Sequence, residues 1–415
     1  MHRSICLLLL IAGPVAFAAD GPELTFDEAV ARSLQGAPQV IARAEGATSM
    51  RELAVSAGRL PDPALMLNLN DLPVDGPDAW STTADFMTMR MVGVMQEFPN
   101  GKKRRLERER ALNEVDLADA ELAETTLDVA RETAQAWIRR AAIETALQEL
   151  KALRPEVELG AVAARAGVAG GRASTAEALA AEVAVVRLGN RIVELETEAH
   201  HARIELARWI GDHAERPVGL APAFDRLPEP ASALLANVER QGPILPFDAR
   251  LEAARSDLAL ARADRRPDWS AALAYADRGP EFSDMASLQF TVELPFFAKH
   301  RQNPRIAARR AELRQLEAER ETTLRAHTAE LHRMLVEWEQ AGRRLEQYDR
   351  ELLPLARERA TAALAAYRAG SGEFQLALDA FEEEIETAVE RAMLFETRGR
   401  AWAFLSYLEP RQLPR

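Results

Sequence analysis

Two textures alternate along this chain. Most of it runs in long stretches poor in proline and glycine and rich in Ala, Leu, Glu and Arg, the texture of long helices. Two places instead alternate apolar and polar residues at period two. Thr25-Phe26-Asp27-Glu28 reads as a capping box, a threonine N-cap with an acid three positions on. It opens a first helix, kinked at Pro38 and ended before Pro61. Residues 102–154 hold no proline, and no glycine falls between Gly101 and Gly160. At 1.5 Å per residue that run is about 80 Å long, too long for one compact core to cover, so it must pack along other long helices. Further helices are predicted over 174–210, 231–266, 304–353 and 374–408.

The alternating segments are 64–70 with 87–98, and 269–276 with 287–296. Each pair reads as a long hairpin around an acidic loop: Asp71, Asp75, Gly76, Pro77, Asp78 and Asp85 in the first, Asp277, Gly279, Pro280, Glu281 and Asp284 in the second. Alternation assigns faces. Leu65, Leu67, Leu69, Val92, Val94, Phe98, Trp269, Leu273, Tyr275, Leu288, Phe290, Val292 and Leu294 fall on an apolar side. Met66, Met87, Met89, Met91, Met95, Glu97, Gln289 and Glu293 fall on the other. One apolar and one polar face is what a membrane barrel wall requires, lipid on the first side and lumen on the second. Four strands cannot close a barrel, and open edges cannot be satisfied in lipid, so several chains must share one. Two copies give eight strands with a filled interior; three give twelve, the smallest multiple with an open lumen.

The prolines repeat. Pro38, Pro61, Pro99, Pro155 and Pro217 have partners in Pro243, Pro267, Pro295, Pro354 and Pro410, each about two hundred residues on. Gln35-Gly36-Ala37-Pro38 resembles Gln241-Gly242-Pro243, and Arg165-Ala166-Gly167 resembles Arg368-Ala369-Gly370. The chain divides into two similar halves, 20–221 and 222–415, after a leader at 1–19. In that leader His2 and Arg3 precede an apolar stretch, and Ala16-Phe17-Ala18 offers a cleavage site, the pattern of a secretory signal. Cys6, the one cysteine, lies inside it, so the mature chain has no disulfide and no thiolate metal site. No later apolar run reaches the ~20 residues of a membrane helix. The net charge of −13 argues against a nucleic-acid binder. No phosphate loop, nucleophile elbow or dinucleotide fingerprint is present, and no histidine pair has the spacing of a zinc hydrolase. An enzyme is not expected, and no cofactor is.

The duplicated helical unit, the inserted hairpin and the Tyr-x-x-Gly turn at Tyr367-Arg368-Ala369-Gly370 resemble the TolC family of trimeric outer-membrane efflux ducts. The likeness covers about 24–410. Leu60-Pro61-Asp62-Pro63, Asn303-Pro304-Arg305-Ile306-Ala307 and Leu353-Pro354-Leu355-Ala356 bring it nearest to the outer-membrane subunits of cobalt–zinc–cadmium efflux systems. The resemblance implies a mainly α chain with a membrane β-barrel: a long antiparallel α-helical barrel in the periplasm, and four strands per chain closing a 12-stranded barrel as a homotrimer in outer-membrane lipid. It also implies a periplasmic adaptor (membrane fusion) protein and an inner-membrane RND-type pump as partners, and heavy-metal cations as cargo. Drugs or other small organics, protein secretion through the same duct, or a periplasmic coiled-coil scaffold outside any membrane are the alternatives.

Four groups of residues carry the candidate chemistry. The turns with Arg165, Gly167, Gly170 and Gly171, and with Arg368, Gly370, Ser371 and Gly372, match the tips that adaptors touch in the family; alone they read as helical-hairpin turns. Asp379 matches an aperture acid of the family, although Leu376 stands where a preceding acid is expected. Glu382, Glu383 and Glu386 follow on nearby faces, and three copies around an axis would favour cations; the plain alternative is a solvated helix face. The methionine row offers soft thioether sulfur, or simply fills space. Lys102, Lys103, Arg104, Arg105 and Arg108, and Lys299, Arg301, Arg305, Arg309 and Arg310, oppose the dipole of the helices they open. Anionic headgroups could compensate them, or salt bridges to neighbours such as Glu107 and Glu109.

Overall fold

The computed structural model describes residues 22–410, so the predicted leader and Cys6 lie outside the described residues. Helices α1 (Phe26–Gly36) and α2 (Pro38–Ser56) lead to strands β1 (Ala64–Asn70) and β2 (Met89–Phe98), then to α3 (Gly101–Ala169) and α4 (Thr175–Ile210). Helices α5 (Ala231–Ala236) and α6 (Leu245–Ala263) lead to β3 (Trp269–Asp277) and β4 (Met285–Val292), then to α7 (Gln302–Gln347), α8 (Leu353–Arg368) and α9 (Phe374–Ser406). Helices, a strand pair and long helices follow one another in the same order twice, with the single α3 answered by α7 and α8.

Several boundaries differ from the sequence expectation. Thr25 does accept the Glu28 N–H, at 3.2 Å, but the box is only half made. The Glu28 carboxylate turns instead to the guanidinium groups of Arg32 and Arg216. Pro38 does not kink a helix but starts one. The chain is extended at Ala37, as the residue before proline prefers, and Pro38 sits in the first turn, where its missing N–H costs nothing. Pro155 ends nothing. Helix α3 runs through it for 69 residues, about 100 Å at the standard rise. An interior proline costs a hydrogen bond and a steric clash. Here Leu150 and Val157 flank it, both buried with Leu188 and Leu195 of α4 and Phe381 of α9, and that packing carries the helix across. Its counterpart Pro354 lies in the first turn of α8, directly after a wide π-helical turn at Tyr348–Leu352. The helix predicted over 231–266 is broken by Gly242-Pro243 into α5, a 3₁₀ turn at Val238–Arg240, and α6.

Hydrophobic packing is distributed along the rods rather than gathered in one centre. Midway, Phe26 lies edge-on to Trp137 at 5.5 Å and to Phe224 at 5.5 Å, and Phe224 meets Trp402 at 5.0 Å. This aromatic knot ties α1, α3, α9 and the segment between the halves. The Trp137 indole N–H donates to the Leu24 carbonyl at 3.1 Å, and Leu24 pairs with Val218 in an isolated parallel bridge. Among the described residues no helix is long and apolar enough to cross a membrane.

The four strands form one antiparallel sheet in the order β1-β2-β3-β4. The β2–β3 pairing joins the hairpin of one half to that of the other, and β1 and β4 are left as edges.

Candidate functional site

Register fixes the two faces of the sheet, because directly opposed residues of antiparallel strands share a side. Leu65 opposes Val94 and Leu67 opposes Val92; these oppose Leu273 and Tyr275 on β3; Leu273 opposes Leu288. Phe98 opposes Trp269, and Trp269 opposes Val292. The apolar side read from the sequence is therefore continuous across all four strands, and it is bare: Leu67 is 72% exposed, Leu288 66% and Phe290 64%. The other side carries Met66, Met89, Met91, Met95, Glu97 and Gln289 together with small residues. There Gly93, Ala274 and Ala276 are buried. A Cβ on Gly93 would lie 2.7 Å from that of Ala274. Small side chains let this face close in upon itself while the apolar face is spread outward.

Three details correct the expected strand. Met87 precedes β2 in the loop, its N–H donating to an Asp85 carboxylate oxygen at 2.7 Å. Leu294 follows β4, which stops ahead of Pro295. Glu293 also follows it, but its N–H still donates to the Asp268 carbonyl at 2.9 Å. One feature was missed. Arg90 and Asp277 lie on the apolar side, directly opposed and 2.8 Å apart. They mark its end away from the helices. At the other end Phe98 and Trp269 stack at 4.1 Å.

At the far end of the rods the two turns meet. Gly171 and Gly370 take left-handed backbone, φ 68° and 74°, which lets each helix stop and reverse. Ser174 and Glu177 form a complete capping box at the start of α4. The Tyr367 ring reaches from the second turn to the first: a Cβ on Gly167 would lie 3.3 Å from its hydroxyl. Burial raises the Tyr367 pKa, and Phe374 packs at 4.8 Å. Gly170 caps α3, its N–H donating to Ala166, and Ser371 bonds Ala366 in the second turn. A side chain on Gly372 would press on Ala366 at 3.0 Å. Arg165 pairs with Glu182 at 2.8 Å, whereas Arg368 is exposed.

The acids of α9 form a stripe. At 100° per residue Asp379, Glu382, Glu383, Glu386 and Glu390 fall within about 100° of one another. Glu382 pairs with Arg187 of α4 at 3.1 Å, and Glu383 pairs with Arg359 of α8. Glu390 accepts from the Tyr348 hydroxyl at 2.5 Å. Among the described residues Asp379 accepts a hydrogen bond from Gln375 alone, at 2.7 Å. Beside the stripe, α4 and α9 enclose an open groove of about 670 Å³, lined by Arg187, Arg191, Glu382 and Glu386 over Leu378, Phe381 and Met393. The neighbouring Glu384 was not singled out by the sequence. It is buried on the opposite side of α9, 3.6 Å from Arg357. Burial first, and then the charge of Glu156, raise its pKa. Three consecutive acids on a helix cannot share one face, which was the available signal.

The basic residues divide in two. Lys103 reaches Asp268 at 2.6 Å and Asp264 at 3.9 Å; Arg305 reaches the same Asp264 at 3.2 Å; Arg309 reaches Asp257 at 3.5 Å and Glu312 at 2.8 Å. Their partners are mostly on and just after α6, not Glu107 and Glu109. The Arg104 Nε is buried without a hydrogen-bond partner. Lys102, Arg105, Arg108, Lys299, Arg301 and Arg310 are exposed, and among the described residues none of them forms an ion pair. Nor does any group of three or more His, Cys, Asp or Glu among the described residues converge as a metal site.

Residues 53–212 match the family described as outer membrane efflux proteins. The fold is shared over most of the chain with solved structures. A membrane protein from Pseudomonas aeruginosa superposes with a TM-score of 0.80 at 18% identity, covering 92% of this chain and 89% of that one. CusC superposes at 0.78 and 15% identity, with 92% and 90% coverage. The CmeC outer membrane channel of Campylobacter jejuni does so at 0.79 and 12% identity, with 93% and 86% coverage. The chain has the TolC-like outer-membrane efflux fold. No curated relative matches it by sequence. The family match over residues 53–212 and the shared fold bear out the resemblance read from the sequence.

Proposed function

We propose that three copies of the chain close one twelve-stranded barrel and form a passive exit duct from periplasm to exterior. One observation carries this reading: a single antiparallel sheet with a bare apolar face and two open edges. In lipid each edge needs a partner strand, and β1 of one copy can pair with β4 of the next. Eight strands would leave an interior filled by side chains, so three copies are favoured over two. The polar, methionine-bearing face then lines the lumen, and the two halves supply matching staves.

At the far end, the joined turns around Gly171 and Gly370 dock a periplasmic adaptor, which couples the duct to an inner-membrane RND-type pump. The exposed Arg368 and the compact turns held by Tyr367 and Phe374 support that role. The acid stripe of α9 forms the narrow end. Asp379 and Glu386 have no basic partner among the described residues, so three copies concentrate negative charge and favour cations. Heavy-metal cations are the cargo class that this charge suits. The α4–α9 groove, with its apolar floor, favours a second reading in which small organics pass.

Membrane fractionation and crosslinking test the duct: an outer-membrane trimer supports it, and a monomer in the soluble periplasm sinks it. Deletion of the gene followed by growth on zinc, cobalt, cadmium, copper and organic toxicants separates the two cargo readings.

A further inference from the structure

Of the ten basic residues that open α3 and α7, Lys103 and Arg305 are neutralised at one place. Asp264, in the cap of α6, binds Lys103 of α3 and Arg305 of α7, and Asp268 just beyond binds Lys103 again. The α6 C-terminus, the negative end of its dipole, lies between the two positively charged helix starts. This arrangement turns the rest of the charge outward. Arg105 and Arg108 lie on the far side of α3 from Lys103 and Lys102 on its flank, all three exposed, and Lys299, Arg301 and Arg310 are exposed at the start of α7. The acids interleaved with them, Glu107 and Glu109, form no ion pair among the described residues. Among the described residues these six cations have no ion-pair partner, and Lys102 and Arg301, at the helix starts, also oppose the helix dipoles.

Their level on the molecule is defined. The strands end there, at Phe98 and Trp269, whose rings stack on the apolar face. Phe296 and Phe297, 78% and 69% exposed, follow β4 at the same level, just before Lys299. Aromatic rings at the rim of an apolar band, with cations immediately beyond, match the boundary between acyl chains and phosphate headgroups. Each basic side chain near an anionic leaflet adds to the attraction, and the six act together in each copy.

We propose that these residues form a collar that binds anionic phospholipid headgroups of the periplasmic leaflet. The inference rests on the membrane reading above and adds the lipid class to it. The phosphates supply the counter-charge that Asp264 and Asp268 give Lys103 and Arg305, so the collar sets the height of the helices against the bilayer.

The test uses the full chain in nanodiscs of phosphatidylcholine alone or mixed with phosphatidylglycerol, with retained lipid counted by native mass spectrometry. The wild type retains phosphatidylglycerol several-fold above its share of the mixture. R105Q/R108Q and K299Q/R301Q each reduce the enrichment, and the combined variant abolishes it. Far-ultraviolet circular dichroism confirms that the variants stay folded. N190Q, an exposed change on α4 away from the barrel, keeps full enrichment. Equal retention by wild type and combined variant overturns the collar while leaving the duct intact. Enrichment abolished by added inorganic phosphate at constant ionic strength, yet unchanged in the variants, also overturns it. A wild type that does not enter the bilayer overturns the membrane reading and the collar together.

Discussion

At the level of single residues, two carboxylates report opposite environments. Glu28 is held by Arg216 at 2.7 Å and by Arg32 at 2.8 Å, and hydrogen bonds from these two guanidinium groups, Arg216 first, lower its pKa from 4.5 to about 2. A depressed carboxylate stabilises the fold above its unfolded value and loses that contribution as pH falls through its folded value. Glu28→Gln should therefore lower stability at neutral pH by about 1 kcal/mol, since solvent screens a pair so near the surface. The gap to wild type should close between pH 4.5 and about 2, as thermal unfolding at graded pH would show. Glu384 behaves in the reverse sense. Its raised pKa means that its protonated form suits the fold, a contribution present below the unfolded value and lost as pH rises through the folded one. Glu384→Gln should raise the unfolding midpoint at neutral pH and leave it unchanged in acid; a lower midpoint at neutral pH would show that the bond to Arg357 outweighs desolvation. The sequence displayed Glu28 as a capping acid but not its partner Arg216, which is 188 residues away. It gave no burial for Glu384, because burial there depends on α3 and α8.

Among the elements, the strands were the most legible. Period-two alternation survives without tertiary knowledge because one side must meet lipid and the other water, and the observed register groups the residues as the alternation does. The ends were less so: β2 starts after Met87 and β4 stops ahead of Leu294. Helix limits were misjudged at Pro155 and Pro38 for one reason. A proline's effect depends on what packs around it and on where in a turn it falls, and neither is local. The face assignment predicts a sharp asymmetry. Leu273→Arg should cost about 2–4 kcal/mol of membrane stability and deplete the protein from outer-membrane fractions. Gln289→Arg, on the opposite side of the same sheet, should be tolerated. Equal loss for both would mean that the apolar side does not meet lipid.

Across the whole molecule, the prolines suggested a twofold succession, and helices, a strand pair and helices do follow one another in that order twice, with the single α3 answered by α7 and α8. What the sequence could not display was the meeting of the two tips at Tyr367, or the sharing of charges across helices far apart in the chain. The α9 stripe makes a prediction at this scale. Asp379→Arg with Glu386→Arg should reduce cation selectivity several-fold in planar bilayers while single-channel events persist; unchanged reversal potentials would remove these acids from the conduction path. The Arg90–Asp277 pair has a consequence of its own. It caps an apolar band whose other limit is Trp269, and Trp269 to Tyr275 is six residue steps along β3. That is about 20 Å of strand, or about 15 Å along the membrane normal at a tilt near 40°. A belt so short mismatches a thick hydrocarbon layer, so the protein should sort into thin bilayers, or thin the lipid around it, and reconstitute more readily as acyl chains are shortened.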